Sequence, residues 1–222
     1  MSIRKGCVCV PETWAPVARS AITVPGPRSV VDGWEVSTRR SSAALRLSDA
    51  SPLAKVSVRA DPDGALAHAL GVRFRSSHRR DGILVVGSGP GEWLLVGGVG
   101  TAHEIAKQVR GLVVGDFVTA IDVTHGRALM RLTGRDASRA LSKVCAVDLS
   151  DAVTSEGAAF RTSVAKLTTD VVRDDAGAGT GEPSYLLHCE RSSGQYLFEC
   201  LLDAGKEFGV EPSGPTVDGG GA

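Results

Sequence analysis

The stretch from Phe117 to Val144 constrains this chain more than any other. FVTAIDV (117–123) and RALMRL (127–132) carry the apolar and β-branched residues of short strands, and the turn Thr124-His125-Gly126 between them predicts an antiparallel pair. A helix is predicted directly afterwards. Asp136 supplies negative charge to its first turn, Ala137, Ala140, Leu141 and Val144 form an apolar stripe at helical spacing, and Arg135, Arg139 and Lys143 line the opposite face. Two strands and a helix in so short a span point to an α+β protein.

The flanking sequence repeats the pattern. AKVSVR (54–59) alternates as a half-buried strand does, and ILVV (83–86) and EWLLV (92–96) read as two more strands. Thr101 followed by Glu104 has the capping-box spacing. It opens a helix with Ala102, Ile105, Ala106 and Val109 on one face and Gly111 as its stop. TSVAKLTT (162–169) and YLLHC (185–189) are further strands, separated by RDDAGAGTGEP, which reads as an exposed loop. A last helix is predicted from Ser192 or Ser193, with Tyr196, Leu197, Cys200, Leu201 and Ala204 on one side and Gly209 as its end. Strand groups followed by a helix thus occur twice. This predicts two small lobes of antiparallel sheet with helices packed on them, dividing near the linker between Gly111 and Asp116 or soon after.

Outside this body, residues 1–42 hold Pro11, Pro16, Pro25 and Pro27 with no sustained periodicity, and are expected to be an irregular N-terminal extension. Trp14 and Trp34 within it are candidate anchors on the body or on a partner. Residues 43–210 form the body, and 211–222, ending PTVDGGGA, read as a flexible tail. The 222 residues with 42% hydrophobic content are enough for a real core. Lys plus Arg (25) balance Asp plus Glu (25), which gives no long-range field for nucleic acid or an anionic membrane. No apolar run approaches the roughly 20 residues a membrane span needs, and no signal-peptide core is present at the N-terminus, so the expected location is cytoplasmic.

Candidate chemistry is sparse. Gly87-Ser88-Gly89-Pro90-Gly91 follows a strand, but the next segment is another strand and not a helix, so a hairpin turn is expected in place of a phosphate cradle. His68, His78, His103, His125 and His188 are scattered singly, and Cys7 and Cys9 lack a second pair of ligands, so no metal site is predicted. His188 and Cys189 are strand neighbours that point to opposite faces. Asp122 is expected to cap its turn. Arg73, Arg75, Arg79 and Arg80 around His78 read as a solvated loop or as a contact to an acidic partner surface. Trp93 reads as core or as an interface anchor, and Arg135 and Arg139 as a solvent face or an interface.

SPLAKVSV (51–58), GSGPGEWLLVG (87–97), TAIDVTHGRALMRLTGRDASRALSKVCAVDLS (119–150) and ERSSGQYLFECLLDAGKEFG (190–209) together resemble, in order and spacing, the gamma subunits of heterotetrameric sarcosine oxidases. That family is related to the folate-binding domains of the glycine-cleavage aminomethyltransferases, to which Asp122–Leu149 is similar as a strand, strand, helix motif. Gly91 departs from the family, which more usually has an acidic residue there. The resemblance implies an aminomethyltransferase-like fold and a non-catalytic assembly role in oxidative demethylation of sarcosine or a related N-methyl amine, coupled to tetrahydrofolate. It implies partners: an alpha subunit with NAD and FAD, a beta subunit with covalent FMN and a delta subunit with zinc. It implies no cofactor on this chain and carries over no catalytic, cofactor-binding or metal residue. The alternative is a stand-alone tetrahydrofolate-binding module or one-carbon transferase.

Overall fold

The computed structural model describes residues 16–113 and 115–215. The pair Cys7 and Cys9, Trp14 and the glycine-rich end of the chain lie outside them. Three short strands come first: β1 (Ala18–Arg19), β2 (Arg28–Val31) and β3 (Trp34–Ser37). There follow β4 (Arg46–Asp49), β5 (Leu53–Arg59), α1 (Ala65–Leu70), β6 (Ser77–Arg80), β7 (Ile83–Gly89), β8 (Glu92–Val99), α2 (Ala102–Gly111) and β9 (Thr119–Asp122). After a 3-10 turn at Thr124–Gly126 come β10 (Arg127–Thr133), α3 (Ala137–Ser142), β11 (Ala159–Val164), β12 (Leu167–Arg173), β13 (Ser184–Glu190), α4 (Gly194–Gly205) and β14 (Glu211–Ser213).

The strands make three sheets, ordered β1-β3-β2, β6-β7-β8-β5-β9 and β11-β12-β13-β10-β4-β14. The two larger sheets stack face to face: Leu84, Val86, Leu94 and Val96 meet Leu129, Ala159, Val172 and Leu186 in an apolar layer. The other face of the five-stranded sheet, with Val56, Val58, Val85 and Leu95, packs on Leu66 of α1 and on Ile105, Ala106 and Val109 of α2. The six-stranded sheet turns Leu47, Met130, Leu132 and Leu187 to Ala140 and Leu141 of α3 and to Leu197, Phe198 and Leu201 of α4. Each such buried Val, Leu, Ile, Met or Phe side chain stabilises by roughly 1.5–3 kcal/mol. The result is four layers, helix, sheet, sheet, helix, in an α+β protein.

Several sequence expectations are corrected. FVTAIDV and RALMRL do not pair: β9 joins β5, whereas β10 lies between β13 and β4. The Thr124–Gly126 turn is a crossing from one sheet to the other. The chain passes between the two larger sheets at that turn, shortly after the linker that begins at Gly111, and also between β4 and β5. Residues 18–37 are not an irregular extension. Asp32-Gly33, both at positive φ (50° and 78°), closes a tight hairpin between β2 and β3. Ile22 and Val24 enter the core of the six-stranded sheet, which is what anchors the segment. The predicted strand at 162–169 is a second tight hairpin, turning at Ala165 and Lys166 with φ of 48° and 68°. The start of the predicted tail is β14, paired in parallel with β4. In α4 the buried stripe includes Phe198, while Tyr196 is half exposed.

The helix at Thr101 forms with the expected buried face, but without a capping box, because the Thr101 hydroxyl donates to Gly98 O at 2.7 Å. The Pro90-Gly91 turn closes the β7–β8 hairpin as expected, with Gly91 at φ 67°. Gly134 has φ 141°, and a Cβ there would sit 2.0 Å from Ala44 O, so only glycine fits between β10 and α3.

Candidate functional site

A cleft of about 1030 Å³ opens where the three sheets meet. Its apolar wall is built by Ile83, Val85 and Leu95 of the five-stranded sheet with Ile105 and Val109 of α2. Its polar side is built by Asp49 at the end of β4, Arg79 of β6, Arg131 of β10 and Asp32 of the β2–β3 turn, with Glu104 and Gln108 facing them from α2. A volume of this size, mostly apolar with a few convergent polar groups, is the shape of a small-molecule site.

Beneath its floor lies a buried ion cluster. Asp174, with a 2% exposed side chain, accepts from Arg79 Nε and Nη2 at 2.8 and 2.6 Å and from Arg131 Nη2 at 2.6 Å. Arg131 Nη1 also donates to Asp174 O and Ser184 Oγ at 2.9 and 2.8 Å. Burial raises the Asp174 carboxyl, but the hydrogen bond from Arg79 and the charge and hydrogen bond of Arg131 outweigh it, so the group is held below the ordinary carboxylate range. Next in sequence, Arg173 is ion-paired to Asp151 and Asp175 and donates to Thr154 O. Residues 173–175, read from composition as part of an exposed loop, are thus stapled into the protein by three arginines.

A second buried pair was missed by the sequence reading. Lys55 is wholly buried, and its amine donates to Ser51 O and Leu53 O at 2.7 and 2.8 Å. Burial pushes the amine down to about 7, against the attraction of Asp49 and Asp122. Burial likewise pushes Asp49 up, opposed by hydrogen bonds from Ser20 and Ser51 and by the charge of Lys55. Asp49 is the carboxylate of the cleft whose proton affinity the fold raises, the property expected of a binding or proton-handling group.

The residues singled out in the sequence are dispersed. Trp93 is 4% exposed and donates from Nε1 to Val72 O at 2.8 Å; it is a core residue of the five-stranded sheet and has no surface to offer as an interface anchor. Arg135 and Arg139 are exposed beside α3, with Arg139 bonded to Asp136 and stacked over Phe208 at 4.7 Å. The cluster around His78 separates into Arg79 in the buried ion cluster, Arg80 paired with Asp81, and Arg73 with Arg75 on a loop before β6. Asp122 caps its turn by accepting from Thr124 N at 2.8 Å. His125 instead stacks on Trp34 at 4.7 Å and 7°, fastening the N-terminal sheet to the crossing.

His188 faces the layer between the sheets with Nδ1 3.3 Å from Asp170, and its Nε2 is buried without a hydrogen-bond partner among the described residues. Burial pushes the imidazole below its ordinary value, against the hydrogen bond and charge of Asp170. Cys189 lies on the opposite face, its thiol pushed up to about 11 by burial, so the two do not meet. Among the described residues no group of three or more His, Cys, Asp and Glu side chains is placed to hold a metal ion. No helix among them is long and apolar enough to cross a membrane.

Stacked, largely antiparallel sheets flanked by helices, with a large cleft at their junction, define an α+β protein of two sheet-and-helix halves. The family of the GCVT N-terminal domain matches residues 53–217, and the chain belongs to it. Among its relatives is the aminomethyltransferase of Anoxybacillus flavithermus, 29% identical over 183 residues, 82% of this chain and 47% of that one. The chain thus spans about half the length of this relative. The sarcosine oxidase subunit gamma of Corynebacterium sp. (strain P-1) is 25% identical over 181 residues, 78% of this chain and 85% of that one. The structure of the heterotetrameric sarcosine oxidase from Corynebacterium sp. U-96, in complex with pyrrole 2-carboxylate, has a chain of the same fold. The TM-score is 0.64 at 24% identity, covering 78% of this chain and 89% of that one.

Proposed function

We propose that this chain is a non-catalytic assembly subunit of a sarcosine-oxidase-type flavoenzyme complex. The observation that carries the reading is the match to the Corynebacterium gamma subunit, 25% identical and running over 85% of that protein. The chemistry of the cleft agrees. The arginines at the cleft, which would hold an anionic substrate, are engaged by Asp174, and the Cys189 thiol is not activated. In this reading FAD, NAD, covalent FMN and zinc reside on alpha, beta and delta partners. The complex, in the cytoplasm, oxidises sarcosine or a related N-methyl amine in one-carbon metabolism. Arg135 and Arg139 remain proposed contact residues, since both side chains are exposed. The test is to purify the tagged chain from its native cells. A yellow complex containing an FAD protein and a covalent-flavin protein is expected; a colourless, solitary chain refutes the reading.

A second reading, a tetrahydrofolate-binding module, is favoured by the cleft. Its volume suits a ligand of folate size, and Asp49, Glu104 and Gln108 offer hydrogen-bonding groups to a heterocycle rich in N–H donors. Calorimetric titration with tetrahydrofolate decides it, since absence of binding heat removes the reading.

A further inference from the structure

The loop between α1 and β6 presents Arg73-Phe74-Arg75, all three exposed, Phe74 by 51%. Its backbone is held from below. Arg75 N donates to Gly87 O at 3.0 Å, Gly87 N to Ser76 O at 2.9 Å, Ala159 N to Arg75 O at 3.1 Å, and the Ser76 hydroxyl to Arg73 O at 2.8 Å. The approach is so close that a Cβ on Gly87 would lie 2.1 Å from Arg73 O. Arg75 itself is kept at φ 71°, a conformation that L-residues rarely adopt. A large aromatic and two long cations thus stand on a rigid base.

The charges around this loop are otherwise balanced. Arg59 pairs with Glu92, Arg79 with Asp174, Arg80 with Asp81 and Arg161 with Asp170. Among the described residues, Arg73 and Arg75 have no carboxylate and no other side-chain partner. Phe74 leans on a small recess that it shares with Ser88 and Phe160. Exposed arginine and aromatic side chains on a preorganised backbone are the composition of an interface hot spot, and the two guanidinium groups specify what they fit.

We propose that the Arg73-Phe74-Arg75 loop is a docking knob for an acidic surface on a partner polypeptide, with Phe74 entering an apolar recess between carboxylates. The inference rests on the assembly-subunit reading and adds the surface and the chemistry of its counterpart. Nucleic acid fits less well, because the formal net charge is zero and the loop offers one stacking ring.

The test uses the full tagged chain and the flavoprotein that co-purifies with it. Affinity is measured for wild type, for R73E/R75E, for F74A and for the control K107E on α2. R73E/R75E and F74A are expected to bind at least about thirtyfold more weakly, with thermal midpoints unchanged and the salt dependence of binding lost in R73E/R75E; K107E keeps wild-type affinity. Equal binding by wild type and both loop variants overturns the inference and leaves the subunit reading standing. A wild-type chain that captures no flavoprotein removes both. Binding of single-stranded RNA, or a homodimer, that disappears in R73E/R75E replaces the acidic partner with that occupant and overturns the proposal.

Discussion

Replacing Asp174 by Asn should destabilise the protein severely although the change is isosteric. The Asp174 carboxylate is buried and receives three charge-assisted hydrogen bonds, two from Arg79 and one from Arg131, whose own side chain is 10% exposed. Neutralising it leaves Arg131 buried without its counter-charge, and breaking such a pair from one side costs about 3–5 kcal/mol. For a chain of this size that is a fall in thermal midpoint of about 6–20 °C. Urea melts of wild type, D174N, R131M and the double variant give the coupling directly. The double variant should recover a large part of the loss, because the unpaired charge has gone with its partner. The pH dependence carries the sign. The folded carboxyl is depressed by Arg79 and Arg131, so its contribution is fully present above the ordinary aspartate value and is lost as pH falls through the lower folded value. Wild type and D174N should differ by a constant amount from about pH 5 upward and converge only well below the unfolded value, about pH 3.9. A D174N penalty under about 1 kcal/mol, or one that fades between pH 7 and 5, would refute this account.

Lys55, lowered to about 7 by burial, is neutral in the folded state above that pH while the unfolded chain stays protonated to about 10.4. Urea melts should therefore show wild-type stability rising between pH 7 and 10, by on the order of 2–3 kcal/mol given the two carbonyl acceptors that favour the ammonium, and K55M should lack that rise. Gly134→Ala places a methyl against Ala44 O and is expected to cost more than about 4 kcal/mol, read as loss of soluble protein or of the cooperative circular-dichroism transition; a midpoint within a few degrees of wild type would count against the backbone contact. Trp93→Phe removes the indole donor from Val72 O and should cost about 1–3 kcal/mol in a denaturant melt, without affecting partner capture, because Trp93 is core.

How much was legible depended on whether the signal was local. The stripe Ala137, Ala140, Leu141 and the helix Ala102–Gly111 follow from 3.6-residue spacing, which needs no partner to be recognised. Asp32-Gly33 and Asp81-Gly82 carried the Asp-Gly hairpin signal and should have revealed β2–β3 and β6–β7, since all four residues have positive φ. Ala165-Lys166 makes a similar turn without Gly or Asn, so nothing local marked it. The cleft was out of reach altogether. Asp174 and Arg131 are 43 residues apart, and the sequence around Asp174 has the composition of a solvated loop.

Lys55 marks the deeper limit. In AKVSVR the alternation correctly separates Ala54, Val56 and Val58 from Lys55, Ser57 and Arg59, and it invites the inference that the second set faces water. The first set does meet the helices. The second set lies on the face that the other sheet covers in part, so Lys55 is buried while Arg59, further along the same strand, is exposed. Alternation assigns residues to faces; whether a face is covered depends on where the chain goes next. Here that is decided at Thr124–Gly126, where the chain leaves β9 for the facing sheet. Thr124 Oγ1 accepts from Lys55 N at 3.0 Å and Val123 N donates to Lys55 O at 2.8 Å. The crossing that the sequence presented as a hairpin turn holds both main-chain groups of the lysine and carries Asp122 beside it, while Asp49 reaches it from the end of β4.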